Sequence, residues 1–134
     1  MCNKINWDII IDMLQQIVET LERIQWAFTP VATPDFFENS IEGLEKLDAI
    51  SMKLLAIGEI LKKIDQKTNK SLFSQYSGID WTGFIGLRDV IAHGYYNIDP
   101  VRIFDICSKE TEPLELVIKK IINDLKSETE NRLK

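Results

Sequence analysis

The sequence predicts an all-α protein folded as an antiparallel bundle of four or five helices. Three observations predict this class. Apolar residues recur at steps of three and four through most of the chain, which is the repeat of helices that bury one face. No stretch shows the alternation of apolar and polar residues that is typical of a strand. Prolines that follow potential capping residues divide the repeat into separate segments.

The first helix is predicted from about Asn6 to Ala27. Its apolar residues form one seam, which contains Ile10, Leu14, Ile17, Leu21 and Ile24. The segment 28–34 contains two prolines, which break a helix, and we expect a loop there. Thr33 can cap a second helix that starts at Pro34, where the missing N–H costs nothing.

The second helix is predicted to be long and to lie against other helices. The seam of its later half contains Leu47, Ile50, Leu54, Ile57, Leu61 and Ile64. Residues 65–78 are polar and rich in turn formers, with a short helix predicted around Leu72. Asp80 can then cap a third helix that opens with Trp81 and ends near Gly94.

The last third of the chain predicts two more helical segments. Asp99 and Pro100 repeat the pairing of a cap with a proline, and Pro113 allows a restart. The apolar seam after that restart contains Leu114, Ile118, Ile121 and Leu125. The charged tail after Lys126 is expected to fray. We interpret residues 1–134 as a single domain, since this length leaves little room for a second core.

The composition favours a folded protein and excludes several functional classes. Hydrophobic residues make up 45% of the chain and charged residues 28%, which is enough apolar material to offset the entropy lost on folding. The net charge of −5 argues against nonspecific coating of nucleic acid, so any RNA contact is expected to be local or assisted by symmetry. No segment resembles a membrane span or a signal peptide, and we expect a cytoplasmic protein without a membrane partner.

The cysteines and the single histidine do not match a metal site. Cys2 and Cys107 have no spacing typical of a disulfide framework, and we interpret both as reduced thiols, with Cys107 buried. His93 is the only histidine, so a zinc site would need carboxylates or two distant cysteines as its other ligands. We therefore expect no metal and no cofactor.

The third helix carries the residues that point to chemistry. Its apolar stripe contains Phe84, Leu87 and Ile91, with Arg88 and Tyr95 at the edge of that stripe. His93 lies roughly 140° around the helix from Arg88, so one straight helix cannot present both side by side. Either the helix unwinds at Gly94, or Arg88 of one chain meets His93 of a second copy across a two-fold axis. Asp89, four residues before His93, could fix the tautomer of its ring and raise its pKa.

These residue types suit the cleavage of a phosphodiester. The guanidinium of Arg88 can hold phosphate oxygens through parallel hydrogen bonds, and the imidazole of His93 can move protons near neutral pH. RNA supplies its own nucleophile, the 2′-hydroxyl. The spacing alone is more often that of an ion-paired surface arginine and a histidine near a helix end.

The same residues resemble the signature of the HEPN superfamily, and more closely that of its HepT branch. The branch pattern is an arginine, four residues, a histidine, one residue and a tyrosine, which Arg88, His93 and Tyr95 match, with Asp89 as the polar residue. The context also resembles the family, in segment 56–61, in Asp80 and Trp81, and in segment 97–99. Together these features cover about half the chain, from Ile50 to Phe104.

The resemblance implies a helical homodimer whose two motifs face one cleft. It implies metal-independent endoribonuclease activity, with Arg88 and His93 as the catalytic residues, in the toxin of a type VII-like toxin–antitoxin pair. The implied partner is an MNT-type nucleotidyltransferase antitoxin that adds AMP to Tyr95, which would block RNA (tRNA or mRNA) beside Arg88. The alternative is a non-catalytic protein that binds a nucleotide or substrate for such a nucleotidyltransferase.

The residue after the arginine departs from the family pattern. That position is often asparagine, and the negative charge of Asp89 could weaken RNA binding or sharpen His93 as a base. The sequence leaves the roles of Tyr96 and Glu59 open.

Overall fold

The computed structural model describes residues 4 to 133, and every regular element in this range is helical. The five α-helices are α1 (Trp7–Phe28), α2 (Ile41–Lys67), α3 (Trp81–His93), α4 (Pro100–Lys109) and α5 (Thr111–Leu133). Three short 3₁₀ segments join them, at Pro34–Phe37, Phe73–Gln75 and Tyr95–Asn97. Helix α2 packs against α1 and α3, while α5 packs against α1 and α4. The prediction of an all-α bundle is confirmed.

The core consists of the seams that the sequence predicts. Helix α1 begins and ends within one residue of its predicted bounds, and its five seam residues are buried. The seams of α2 and α5 are buried as well. Burying a leucine or isoleucine contributes about 1.5–3 kcal/mol, so these three long helices supply most of the apolar stabilisation.

The predicted start of the second helix is wrong. Thr33 makes no side-chain hydrogen bond to a helix, and the chain forms only the 3₁₀ segment Pro34–Phe37 before it turns. The physical reason is Phe37, whose side chain is fully buried by that turn. Helix α2 begins later, where the hydroxyl of Ser40 accepts a hydrogen bond from the N–H of Gly43 at 3.0 Å.

Two other predicted helix starts are confirmed, and one predicted end is not. The carboxylates of Asp80 and Asp99 cap α3 and α4, each accepting a first-turn backbone N–H, at 2.9 and 3.0 Å. Helix α5 continues past Lys126 to Leu133 without the predicted fraying.

The cysteine prediction is tested at one of its two positions. Cys107 is a buried thiol without a disulfide, as predicted, and Cys2 lies outside the described residues. Between residues 4 and 133, no helix combines the length and the hydropathy that a membrane span requires.

The backbones of α2 and α3 approach closely where Gly58 lies. A Cβ atom at Gly58 would stand 2.8 Å from the carbonyl oxygen of Phe84 and 3.3 Å from the backbone nitrogen of Arg88. These distances are too short for a side chain unless one helix moves. The missing side chain of Gly58 therefore lets α2 pack directly against the turn of α3 that carries Arg88.

We expect Gly58→Ala to lower the free energy of unfolding by about 1–3 kcal/mol, because the new methyl group meets backbone that cannot rotate away. The matched control is Gly86→Ala on α3, where nothing lies within 4 Å of the added Cβ. Since alanine favours helix more than glycine does, the control should gain about 0.5–1 kcal/mol. Chemical denaturation followed by circular dichroism measures both, and equal gains would contradict the close approach.

Candidate active site

The buried face of α3 is the predicted one, and it directs Arg88 to the rim of the bundle. Phe84, Leu87 and Ile91 are all buried in the core. Arg88 follows Leu87 at the edge of this stripe, and its side chain is 46% exposed. The helix thus anchors the backbone of Arg88 firmly while leaving its guanidinium open to solvent.

The guanidinium of Arg88 makes two ion pairs. Its Nε atom donates to Oε1 of Glu59, which reaches across from α2. Its NH1 atom donates to Oδ1 of Asp89 at 3.1 Å. The hydrogen bond to Asp89, followed by the attraction of Glu59, raises the pKa of Arg88 above its ordinary value. The side chain is therefore a permanent positive charge held by two carboxylates.

Glu59 is the site residue to which the sequence assigned no role. It follows Gly58, where α2 and α3 approach closely, and its carboxylate contacts Arg88 of α3. The only sign of Glu59 in the sequence was that segment 56–61 resembles the family. That resemblance points to the segment but does not say which residue Glu59 contacts. A contact between residues 29 positions apart cannot be derived from local periodicity.

His93 is exposed at the end of α3, with one ring nitrogen engaged. Its Nδ1 atom lies 2.8 Å from the backbone carbonyl oxygen of Asp89, one helical turn earlier. A carbonyl oxygen can only accept, so this contact requires the proton on Nδ1. In the neutral ring, Nε2 is then the nitrogen that can take a proton, which is the arrangement of a general base.

The predicted role of the Asp89 side chain is therefore corrected. No hydrogen bond or ion pair joins the Asp89 carboxylate to the His93 ring, because that carboxylate pairs with Arg88. The residue does orient the ring, but through its main chain. One residue thus contacts both Arg88 and His93, each through a different group.

No hydrogen bond joins the side chains of Arg88 and His93 within the chain. Helix α3 stays regular through His93, and the N–H of Gly94 still donates to the carbonyl of Val90 at 3.1 Å. His93 is the last residue of α3 and keeps its helical position, while the chain leaves helical geometry at the next residue, Gly94. The pairing of two chains, the other arrangement considered for the sequence, stays a prediction.

Tyr95 and Tyr96 follow the helix on an exposed 3₁₀ segment. Their side chains are 50% and 94% exposed, and their rings contact edge to face, with centroids 5.4 Å apart. Because Tyr95 lies outside α3, helical spacing no longer places it above Arg88 as predicted. Both residues therefore lie on the surface, two and three positions after His93.

Residues elsewhere in the chain offer fewer options for chemistry. Burial raises the pKa of the Cys107 thiol to about 12, so it stays protonated and unreactive near neutral pH. Among residues 4 to 133, no group of three or more His, Cys, Asp or Glu side chains could hold a metal ion. An open groove of about 860 Å³ between α1 and α2 surrounds Trp26, and none of the motif residues lines it.

We expect the neutral ring of His93 to carry its proton on Nδ1, because the carbonyl of Asp89 requires a donor there. Long-range proton–nitrogen NMR spectra distinguish the two tautomers by the ¹⁵N shifts of the ring. The measurement needs no assignment among histidines, since the chain has only one, and His93→Gln removes the signal as a control. A ring protonated on Nε2 would contradict this geometry.

Comparisons with known proteins identify the family. The model of the family Ribonuclease HepT-like matches residues 27–121. Three relatives come from Methanocaldococcus jannaschii. A "gamma-glutamylcyclotransferase and putative RNase" is 24% identical over 119 residues, which are 89% of this chain and 50% of that protein. Two proteins each named "putative RNase" are 29% and 27% identical, over 63% and 72% of this chain and 67% and 77% of their own lengths.

This chain thus spans about half the length of the first relative and two thirds or more of the other two. No solved structure matches it significantly. The family match covers most of the chain and includes Arg88, His93 and Tyr95. The chain belongs to the HepT-like ribonuclease family of the HEPN superfamily.

Proposed function

We propose that this protein is an endoribonuclease that cuts RNA without a metal ion, with Arg88 and His93 as its catalytic residues. The observation that carries the proposal is the state of His93, an exposed imidazole whose Nδ1 is occupied and whose Nε2 is available as a base. The permanently charged Arg88 on the same helix supplies the group that such chemistry needs at the phosphate. Membership of a ribonuclease family and relatives named as RNases support the same activity.

In the proposed reaction, Nε2 of His93 takes the proton from a 2′-hydroxyl of the RNA. The 2′-oxygen attacks the adjacent phosphorus, the bond from phosphorus to the 5′-oxygen breaks, and that oxygen takes a proton from water. The products are a 2′,3′-cyclic phosphate and a free 5′-hydroxyl. Arg88 donates hydrogen bonds to the phosphate oxygens and stabilises the additional negative charge of the transition state.

The proposed active species is a homodimer with a site shared between chains. The two residues are five positions apart on a regular helix, so they project roughly 140° apart, and no hydrogen bond joins their side chains within one chain. A two-fold axis beside α3 would bring Arg88 of one protomer to His93 of the other. Val90 and Tyr95, each about half exposed next to His93, provide apolar surface for such an interface.

We further propose that the enzyme is the cytoplasmic toxin of a toxin–antitoxin pair. Its antitoxin would be an MNT-type nucleotidyltransferase that transfers AMP to Tyr95. The exposed side chain of Tyr95 supports this role, since a nucleotidyltransferase must reach the hydroxyl. The added phosphate would place negative charge and bulk at the motif, where it would repel RNA.

We expect Arg88→Ala and His93→Ala each to abolish RNA cleavage, because each removes one of the two required groups. Cleavage by the unmodified protein should persist in EDTA. When the two variants are coexpressed in equal amounts, half of the dimers are mixed and each contains one intact shared site. Activity should therefore recover to about a quarter of the original.

The coexpression experiment separates a shared site from a site within one chain. If both residues of a site came from the same chain, no mixed dimer would contain an intact site and activity would stay absent. Intact RNA with the unmodified protein, together with measurable ATP binding, would contradict the nuclease and favour a nucleotide-binding partner of a nucleotidyltransferase.

We expect Tyr95→Phe to prevent AMP transfer, because it removes the acceptor hydroxyl while keeping the ring. Tyr96→Phe is the matched control, since Tyr96 is even more exposed and contacts the same ring. The measurement is intact mass spectrometry after incubation with ATP and the nucleotidyltransferase that the proposal expects in the neighbouring gene. Modification of the Tyr95→Phe variant, or a neighbouring gene that encodes no nucleotidyltransferase, would contradict the proposed antitoxin.

A further inference from the structure

The guanidinium of Arg88 is occupied in the protein without RNA. A guanidinium presents five N–H donors in a planar fork, and a phosphate takes two parallel hydrogen bonds from one edge of it. Glu59 accepts from Nε, and Asp89 accepts from NH1. The edge formed by NH1 and NH2 is therefore partly covered by the carboxylate of Asp89.

The two carboxylates are held very differently. Glu59 projects from α2, where the neighbouring Gly58 packs against α3, and its side chain is only 33% exposed. Asp89 is 63% exposed and bonds to the residue immediately before it. Exposed ion pairs contribute little net stability, because water solvates both charges well when they separate. Asp89 is thus the carboxylate that can leave Arg88 at low cost.

We propose that Asp89 occupies the position of the RNA phosphate on Arg88, and that the phosphate replaces Asp89 while Glu59 keeps its hold on Nε. This inference rests on the proposed function, since it takes Arg88 as the phosphate-binding residue. Asp89 is then a built-in competitor of the substrate. Glu59 is a positioning residue, which keeps the NH1–NH2 edge pointing outward in both states.

The exchange leaves the ring of His93, the proposed general base, undisturbed. His93 is held by the main-chain carbonyl of Asp89, which belongs to regular helix, whereas the carboxylate that leaves belongs to the side chain. Rotation of the Asp89 side chain into solvent therefore releases Arg88 without moving the His93 ring. This separation explains how one residue can restrain both groups and still release only one of them.

The exchange also accounts for the local charge balance. One guanidinium and two carboxylates give this cluster a net charge of −1, in a protein whose overall formal charge is −5. An RNA phosphate meets this negative cluster until Asp89 moves away. Replacing Asp89 by asparagine removes both the competitor and the repulsion, while keeping a side chain of the same shape.

The test is the affinity for a 2′-O-methylated RNA oligonucleotide, which cannot be cleaved through its 2′-oxygens. We expect Asp89→Asn to lower the Kd about three- to tenfold in fluorescence anisotropy titrations. The matched control is Asp48→Asn, which makes the same charge change at an exposed position of α2, about 16 Å along the helix from Glu59. This control should leave the Kd nearly unchanged.

A double-mutant cycle distinguishes competition from a general change in charge. In an Arg88→Ala background, Asp89→Asn should lose most of its effect, because no guanidinium is left to release. Three results would overturn the exchange. Asp89→Asn could lower the Kd equally with and without Arg88, Asp48→Asn could lower it as much as Asp89→Asn does, or Asp89→Asn could leave it unchanged.

The position of Glu59 is tested by the NMR signal of the Arg88 Nε–H group, which Arg88→Lys identifies. The signal should persist when the oligonucleotide saturates the protein, and Glu59→Ala should weaken or shift it. Loss of the signal on RNA binding would overturn the part assigned to Glu59.

These measurements do not depend on turnover. If the protein failed to cleave ordinary RNA while Arg88→Ala still weakened binding, the nuclease proposal would fail and the exchange would be judged on the Kd values alone.

Discussion

The close approach of α2 and α3 at Gly58 is the constraint on which the rest of the site depends. Without a side chain at that position, α2 reaches the backbone of Phe84 and Arg88, and the next residue, Glu59, is delivered directly to the guanidinium. The buried residues of α3 hold the helix in this register, since its apolar stripe is part of the core. Packing in the interior thus determines where a surface charge stands, and a small shift between the two helices would separate Glu59 from Arg88.

Asp89 contacts both Arg88 and His93, through two different groups. Its carboxylate pairs with Arg88, and its main-chain carbonyl orients the ring of His93. The first contact is an exposed ion pair, which water and phosphate can replace, whereas the second belongs to a regular helix and persists as long as the helix does. The side chain of Asp89 therefore contacts Arg88, and its main chain contacts His93.

Local patterns in the sequence predicted most of the fold because the relevant forces are local. Helical periodicity located the buried seams, and Asp80 and Asp99 were recognisable as caps from the residues beside them. The N-cap of α2 at Ser40 was missed, because it follows a short 3₁₀ segment that buries Phe37, and local periodicity does not predict that burial. The same limit applies to the site. The motif identified Arg88 and His93, but it did not identify Glu59, the ion-pair partner of Arg88 on another helix.

The angular separation of Arg88 and His93 carries the strongest structural argument for a shared site. A regular helix cannot turn both side chains toward one phosphodiester, and α3 stays regular through His93. Arg88 stands at the rim beside α2, while His93 stands at the outer end of α3 with two exposed tyrosines after it. A single chain thus presents the proposed phosphate-binding residue on one side and the proposed base on another. In the proposed dimer, a two-fold axis would convert this separation into two equivalent sites, each containing one group from each chain.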